Sequence, residues 1–441
     1  MALAVSGGSD SMALLRLAHL SLVPLREAGR VSVAQQRAGG GRATVEEPHP
    51  SRAEYGARHP GSSPGQALPQ LRFAKPEKDW QAPRLSVLTV DHGLRAVSAA
   101  EADQVAAWCA ALGLDHVNLT WDGPKPRTGI QAKARQARYD LMADWCRAHG
   151  ASMLLTAHTL DDQAETVLMR LARTSSFDSL AGIYRMGDWN GLRLFRPLLG
   201  ERREALRDKL RKLGQAWIDD PSNEDDRFER VRIRKAMPLL GELGIAPEAL
   251  AGLAAQAQDV SHGLRSAARE WARLNVEGHD AGYCRIDLEA FAGQTALLKT
   301  RILGLLIGRY GSGAMPEPAQ LDLLCAWVAG PGARRTLGGA VIARRSRDIL
   351  IGREAGRIDP VPLVVPDSGG LLWDGRFVVK APPGSLVLPA LLAGKFPRCR
   401  ELPAFVQASL PAVTGVDGGT ILPSLMPGHA VSARFYRRPN A

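Results

Sequence analysis

Short apolar runs alternate with amphipathic stretches through the first half of the chain. Ala2–Val5 is apolar and precedes Ser-Gly-Gly-Ser-Asp-Ser at 6–11, after which Met12, Leu15, Ala18 and Leu22 recur at helical spacing. This predicts a strand, a tight glycine turn and a helix. The chain starts almost on the strand, which leaves room for a missing upstream segment. Leu85–Val90 is a second apolar run and ends at Asp91-His92-Gly93. Ser98-x-x-Glu101 has the form of a capping box opening a helix that Gly113 closes. A strand at Val117–Thr120 follows, and Thr128-x-x-Gln131 opens a helix carrying Ile130, Ala134, Ala137, Leu141 and Trp145, closed by Gly150. Met153–Ala157 predicts another buried strand and Asp161–Arg173 another helix. Strands and helices alternating at this spacing form parallel βαβ units in an α/β, doubly wound parallel sheet.

Between Pro24 and Pro83 the pattern dissolves into Gly, Pro, Arg, Ser and Gln. Such a stretch buries too little apolar surface to offset its ordering entropy, so 24–84 reads as a mobile insertion. From about 225 to 330 the chain is rich in Ala, Leu and Arg and reads as helical. From Arg334 the β-branched and glycine content rises, which predicts a small strand-containing C-terminal module over 334–441.

With 441 residues, two or three domains are expected. The 56 Lys+Arg against 45 Asp+Glu give a net charge of +11, which favours an anionic partner such as nucleic acid. Cys109, Cys146, Cys284, Cys325 and Cys399 have no C-x-x-C spacing, arguing against a disulfide scaffold, a thiolate metal site or an iron–sulfur cluster. No apolar run reaches the roughly 18 residues that span a bilayer, and the apolar N-terminus lacks the basic start of a signal peptide. A cytoplasmic protein without membrane association is expected.

The loop Ser6, Gly7, Gly8, Ser9, Asp10, Ser11 carries the clearest chemistry. Glycines after a buried strand let backbone N–H groups face a pyrophosphate, and the following helix adds its positive end. Asp10 suits Mg²⁺, and Ser6 and Ser11 suit hydroxyl hydrogen bonds. The loop has neither the Walker pattern nor a dinucleotide fingerprint. It resembles the pyrophosphate loop of N-type ATP pyrophosphatases, which share an adenine nucleotide alpha hydrolase-like fold.

Later segments resemble the lysidine synthetase family within that class. Asp91-His92-Gly93-Leu94-Arg95 is similar to its D-H-x-L-R element, which makes Asp91, His92 and Arg95 candidate phosphate or metal residues at a strand's C-terminal end. Ala134-Arg135-Gln136-Ala137-Arg138-Tyr139 resembles its A-R-x-x-R-Y helix, with Arg135 and Arg138 on one face. Thr156-Ala157-His158-Thr159-Leu160-Asp161-Asp162-Gln163-Ala164-Glu165-Thr166 matches T-A-H-H-x-x-D-Q-x-E-T except at Thr159, with His158 a catalytic candidate. Taken alone, Asp162 and Glu165 complement a helix dipole; the resemblance implies that they bind the amino groups of free L-lysine. In Arg173–Ile183, Thr174, Ser176 and Ser179 stand where the family has glycines. Asp220-Pro221-Ser222-Asn223 and Phe228-x-Arg230-x-Arg232-x-Arg234 resemble D-x-S-N and F-x-R-N-R-I-R, with Val231 in place of asparagine. Arg230, Arg232 and Arg234 read as a cationic row for RNA.

The resemblance implies a catalytic domain over 1–222, a helical tRNA-binding domain over 223–333 and the α+β module beyond. It implies a ligase that uses ATP and Mg²⁺ to join lysine to C2 of the wobble cytidine of tRNA(Ile) through an adenylated tRNA. Another tRNA-modifying pyrophosphatase of the thiolating type, or a non-catalytic RNA-binding relative, stays open at this point. A homodimer also stays open.

Overall fold

The computed structural model describes residues 1–21, 84–93, 97–122, 125, 128–173, 177–220, 224–313, 315–330, 332–394, 396, 398–425 and 431–436. The 24–84 insertion but for Arg84, and Arg95, Thr174, Ser176 and Pro221–Asn223, lie outside the described residues. The chain divides into two compact units, Met1–Gln258 and Asp259–Ala441.

In the first unit a six-stranded sheet runs in the order β3-β2-β1-β4-β6-β5. Its strands are β1 (Ala2–Ala4), β2 (Ser86–Asp91), β3 (Asp115–Thr120), β4 (Met153–Leu155), β5 (Met186–Trp189) and β6 (Leu192–Phe195). β1 pairs in parallel with β2 and β4, β2 with β3 and β4 with β6, while β5 is antiparallel to β6. Side-chain alternation on β1 explains why both faces are covered. Leu3 packs on one face with Met12, Leu14 and Leu15 of α1 (residues 9–21), Val105 and Cys109 of α2 (Ser98–Ala111), and Leu206 and Leu210. Ala2 packs on the other with Tyr139, Met142 and Cys146 of α3 (Ile130–Ala148). Each fully buried Leu or Met contributes about 1.5–3 kcal/mol, so these two small clusters fix which helix lies on which face. The expected doubly wound parallel sheet is present.

Because β2 and β4 flank β1 on opposite sides, the chain leaves β1 and β4 in opposite directions. That is the switch point at which open α/β sheets form a crevice. The loop at 6–11 follows β1, and the segment from Thr156 to Thr166 follows β4. α4 (Leu160–Leu171), α5 (Phe177–Leu180), α6 (Arg203–Lys212) and α7 (Glu229–Glu242) complete this side.

Two helix starts differ from the expectation. Ser98 is the first helical residue of α2 rather than its cap; Val97 caps it without a side-chain bond, and the Ser98 hydroxyl instead bonds Asp91. α3 begins at Ile130 behind Gly129, which adopts φ +62°, so Thr128 and Gln131 form no capping box. A left-handed glycine stops the helix from reaching back to Thr128.

The second unit is built on its own sheets. α8 (Pro247–Asn275) contains the division between units and leads into β7 (Val276–His279), β8 (Tyr283–Asp287) and α9 (Leu288–Ala292). α10 (Ala296–Tyr310) and α11 (Pro318–Ala329) precede β9 (Arg334–Leu337), β10 (Ala340–Arg344) and β11 (Asp348–Arg353). These strands form the sheet β7-β8-β11-β10-β9, covered by Ile302, Leu303, Leu306 and Leu324. The boundaries at 222/223 and 333/334 are therefore not those of the compact units. Tyr283–Asp287 pairs antiparallel with Asp348–Arg353 and ties the helical region to the C-terminal strands. The expected strands beyond 334 are present, further ones forming a four-stranded and a three-stranded sheet.

Candidate active site

The loop after β1 is shaped by glycine at 7. Gly7 adopts φ +84°, and a Cβ there would lie 2.7 Å from Ile218 Cδ1, whose own backbone N–H donates to the Gly7 carbonyl at 2.9 Å. The positive φ strains any L side chain there, and a Cβ would also displace the Ile218 side chain. The Ser11 hydroxyl donates to the Gly8 carbonyl at 2.9 Å and accepts the Ser6 N–H at 3.2 Å, closing the turn onto the start of α1. Asp10 thus sits in the first turn of a helix with its carboxylate at the crevice. Burial raises its pKa, and the Arg203 guanidinium only partly offsets this.

α4 starts with a capping box that the sequence pattern did not flag. Thr159 caps it: its hydroxyl accepts from the Asp162 N–H at 3.3 Å, while its own N–H donates to Asp162 Oδ2 at 2.8 Å. The residue that departs from the family pattern is therefore well suited to its place. Burial pushes the Asp162 carboxyl up, but Arg203, Arg230 and the Thr159 N–H together hold it below the ordinary 3.8. Glu165 lies one turn on, its side chain 2% exposed. Arg234 Nε donates to Glu165 Oε1 at 2.8 Å and Arg230 Nε lies 3.1 Å from Oε2.

This revises the reading of the arginine row. Residues 229–242 are helical, so residues two apart point to different sides. Arg230 and Arg234, four apart, both face Glu165. Arg232 points elsewhere and donates to the carbonyls of Asp226 and Arg227 at 2.8 and 3.2 Å. Val231, where the family has asparagine, is 6% exposed and packed inward.

A second cluster is cationic: among the described residues Arg135, Arg138 and Arg196 form no ion pair with a carboxylate, while Arg230 reaches in from its pair with Glu165. Arg135 and Arg138 straddle the buried Tyr139 ring, 5.1 and 5.6 Å from its centre. Arg135, Arg196 and Arg230 all lie near enough to His158 to oppose its protonation; with burial as the leading cause, its pKa falls from 6.5 to about 3. His158 is thus neutral at neutral pH, its Nδ1 3.0 Å from Thr156 Oγ1. His92 is likewise pushed down by burial and by Arg138. Asp91 accepts the Gly93 N–H at 2.8 Å and the Ser98 hydroxyl. Its carboxylate builds the turn at Gly93, where φ is +57°. Guanidiniums left without acidic partners suit phosphate oxygens.

The His158 shift has a consequence for stability. Between its unfolded pKa of 6.5 and about 3 the unfolded chain takes up a proton that the folded chain refuses, so stability is lost as pH falls through that window. The His158→Gln variant is expected to lose less stability between pH 6.5 and 4 than the parent, as measured by urea denaturation. An unchanged slope would mean that His158 is not held neutral.

Sequence reasoning missed Arg203 and Arg207 of α6. Arg203 Nε donates to Asp10 Oδ2 at 2.9 Å, and Arg207 Nε to the Ser9 hydroxyl at 3.3 Å. The available signal was their four-residue spacing beside Leu206 and Leu210, which are buried. Basic residues beside an apolar stripe are normally solvated, so the spacing alone did not single them out. Ser179 does not open the segment before Gly182, since its carbonyl accepts from Arg170 at 3.1 Å. Gly182 is needed there, with φ +58° and Gln163 Oε1 2.6 Å from where a Cβ would lie.

The donor set fits Mg²⁺. Among the described residues no group of three acidic, His or Cys side chains is arranged for a metal. Mg²⁺ in nucleotide sites is commonly held by one or two carboxylates with phosphates and water supplying the rest, and Asp10 beside the glycine loop meets that pattern.

The switch-point crevice, the glycine loop and the arginine cluster define a PP-loop ATP-using enzyme. A family profile described as a PP-loop domain matches residues 68–240, which hold the Asp91, Arg135 and Asp162 segments. The tRNA(Ile)-lysidine synthase of Ruegeria pomeroyi is 39% identical over 304 residues, covering 68% of this chain and 70% of that protein. That of Mesorhizobium japonicum is 38% identical over 328 residues, covering 72% and 70%. That of Rhizobium meliloti is 34% identical over 370 residues, covering 80% and 78%. The chain belongs to the tRNA(Ile)-lysidine synthase family. A U34-tRNA thiolase from Methanococcus maripaludis, solved with its iron–sulfur cluster, is similar at a TM-score of 0.40 and 13% identity over 59% of this chain and 71% of that one.

Proposed function

We propose that this ligase joins lysine to C2 of the wobble cytidine of tRNA(Ile), using ATP and releasing AMP and pyrophosphate. The observation that carries this reading is that the carboxylate of the phosphate loop, Asp10, and the pair Asp162 and Glu165 meet at one crevice, bridged by Arg203. The loop at 6–11 with Arg135 and Arg138 binds the triphosphate. Asp10 would hold Mg²⁺, which would supply charge neutralisation for the pyrophosphate leaving group. The cytidine O2 attacks the α-phosphorus and pyrophosphate leaves. The lysine ε-amine, having lost a proton, then attacks C2, and AMP leaves with the oxygen. Asp162 and Glu165 orient lysine through its amino groups. The helical and C-terminal parts hold the tRNA, and the reaction belongs in the cytoplasm. No helix of the described residues is long and apolar enough to cross a membrane.

The thiolating alternative has little support in the thiols. Cys109, Cys146 and Cys284 are buried in apolar clusters, and burial pushes Cys109 up to about 11, where a thiol is a poor nucleophile. Mass spectrometry of an isoleucine tRNA after incubation with ATP, Mg²⁺ and lysine is expected to show lysine added at the wobble cytidine. A sulfur-substituted base or an unmodified tRNA would sink the reading.

Salt dependence separates the arginines. tRNA affinity is expected to fall steeply with salt, with a log–log slope of about −0.7 to −0.9 per phosphate contact. Removing Arg232 should reduce that slope, whereas removing Arg230 or Arg234, already engaged by Glu165, should leave it nearly unchanged. Equal effects from all three would restore the picture of a continuous cationic row.

A further inference from the structure

One guanidinium joins the nucleotide loop to the carboxylate pair. Arg203 Nε donates to Asp10 Oδ2 at 2.9 Å, Nη2 to Asp162 Oδ1 at 3.3 Å and Nη1 to Glu165 Oε1 at 3.5 Å. These three carboxylates come from two helices that follow different strands, and the Arg203 side chain between them is 17% exposed. Its backbone is anchored independently, the N–H donating to Asp161 Oδ2 at 2.7 Å while α6 continues from it. The side chain is therefore free to leave the carboxylates while the helix stays in place.

Charge balance sharpens the question. Asp10, Asp162 and Glu165 are each paired with Arg203, and Glu165 is paired with Arg230 and Arg234 as well, so three carboxylates and three guanidiniums form one connected set. Within this set the charges balance before any substrate arrives. A divalent cation at Asp10 competes with Arg203 for Oδ2, since Oδ1 already accepts from the Ser9 hydroxyl at 3.3 Å, and an ammonium group at Asp162 competes with it for Oδ1, since Oδ2 closes the cap with Thr159. A nucleotide also brings phosphates, to which a planar guanidinium binds strongly. When metal and phosphates occupy the loop, Asp10 exchanges its guanidinium for metal and Arg203 gains a phosphate partner, which draws it off Asp162 and Glu165.

We propose that Arg203 is a shared counter-ion that stands in for the cationic ligands and, by being displaced once, makes nucleotide and lysine bind cooperatively. The inference rests on the assignment of both ligands made under Proposed function. Whichever ligand binds first bears the cost of moving the guanidinium, and the second finds its carboxylates released. The coupling is reciprocal because binding free energies are linked. Arg203 acts here as a positioning residue; an ordinary structural ion pair in the same place would stabilise the fold without linking the two affinities.

The test is calorimetric titration of L-lysine, alone and in the presence of Mg²⁺ with α,β-methylene-ATP, which resists cleavage. In the parent, the nucleotide is expected to tighten lysine binding by about tenfold. Arg203→Gln should bind lysine alone more tightly than the parent does, and the nucleotide should then change its affinity less than about twofold. Arg203→Lys, which keeps a positive charge and guards against misfolding of the first variant, should retain part of the coupling. A parent that binds lysine under neither condition would overturn the amino-acid assignment itself. A parent that binds normally, alongside an Arg203→Gln protein that keeps the same nucleotide effect or binds lysine alone more weakly, would overturn the shared counter-ion and leave the assignment standing.

Discussion

Replacing Asp10 with alanine is expected to cut pyrophosphate release by about a hundredfold to a thousandfold while leaving tRNA affinity nearly unchanged, the scale set by losing one preorganised electrostatic partner. The carboxylate stands in the first turn of α1, behind a glycine loop whose positive φ at position 7 strains any L side chain. Its folding role is the opposite of its catalytic one. Burial raises its pKa above the ordinary 3.8 despite the ion pair with Arg203. A carboxyl with a raised folded-state pKa favours the fold only while protonated, and that contribution is lost as pH rises through the folded value. The raised pKa means that burial outweighs the pairing with Arg203, so Asp10→Ala is expected to melt no lower than the parent while losing activity. Such a trade is expected where a site demands a strained charge. Differential scanning calorimetry and a pyrophosphate-release assay on one preparation check both halves. Normal turnover would remove Asp10 from the phosphate site, and a large drop in Tm would make it a structural anchor.

Much of this was legible along the chain because the first unit obeys local rules. The apolar runs at Ala2–Val5, Leu85–Val90 and Met153–Ala157 have one reading at that length, and the helices between them carry ordinary amphipathic stripes. The strand order then brings the loops after β1 and β4 together, so the two strongest motifs had to meet. The parts that were not legible involve contacts between distant segments. Nothing near Arg203 in sequence says that its partners are residues 10, 162 and 165. The row Arg230, Arg232, Arg234 looked continuous because alternate positions share a face only in a strand, and the helix splits them. The division at 258/259 was hidden because it falls inside a continuous helix, while β8 finds its partner more than sixty residues later in β11.

The carboxylate pair should respond unequally to neutral substitution. Glu165 is 2% exposed and faces guanidiniums of Arg203, Arg230 and Arg234 at 3.5, 3.1 and 2.8 Å. Glu165→Gln keeps the shape and removes the charge, which leaves three cations crowded around an amide. Breaking a buried pair in this way costs about 3–5 kcal/mol, on the order of 10 °C in the melting temperature of this unit. Asp162 divides its work: Oδ2 closes the capping box with Thr159, and Oδ1 meets Arg203 at 3.3 Å. Asp162→Asn can keep one cap acceptor, so its stability cost should be nearer the roughly 1 kcal/mol of a cap. Both variants should raise the lysine concentration needed for half-maximal incorporation, and both should still release pyrophosphate and accumulate adenylated tRNA. The double variant Glu165→Gln with Arg234→Leu separates the two roles of Glu165. Removing one uncompensated guanidinium should recover much of the melting temperature, yet the lysine requirement should stay high if the carboxylate itself orients the amino acid. Measuring pyrophosphate release and lysine incorporation separately across a lysine titration decides the matter. A double variant that recovers both stability and parental lysine dependence would make Glu165 the anchor of α7 and leave Asp162 as the lysine carboxylate, whereas unchanged lysine dependence in both single variants would remove the pair from amino-acid recognition altogether.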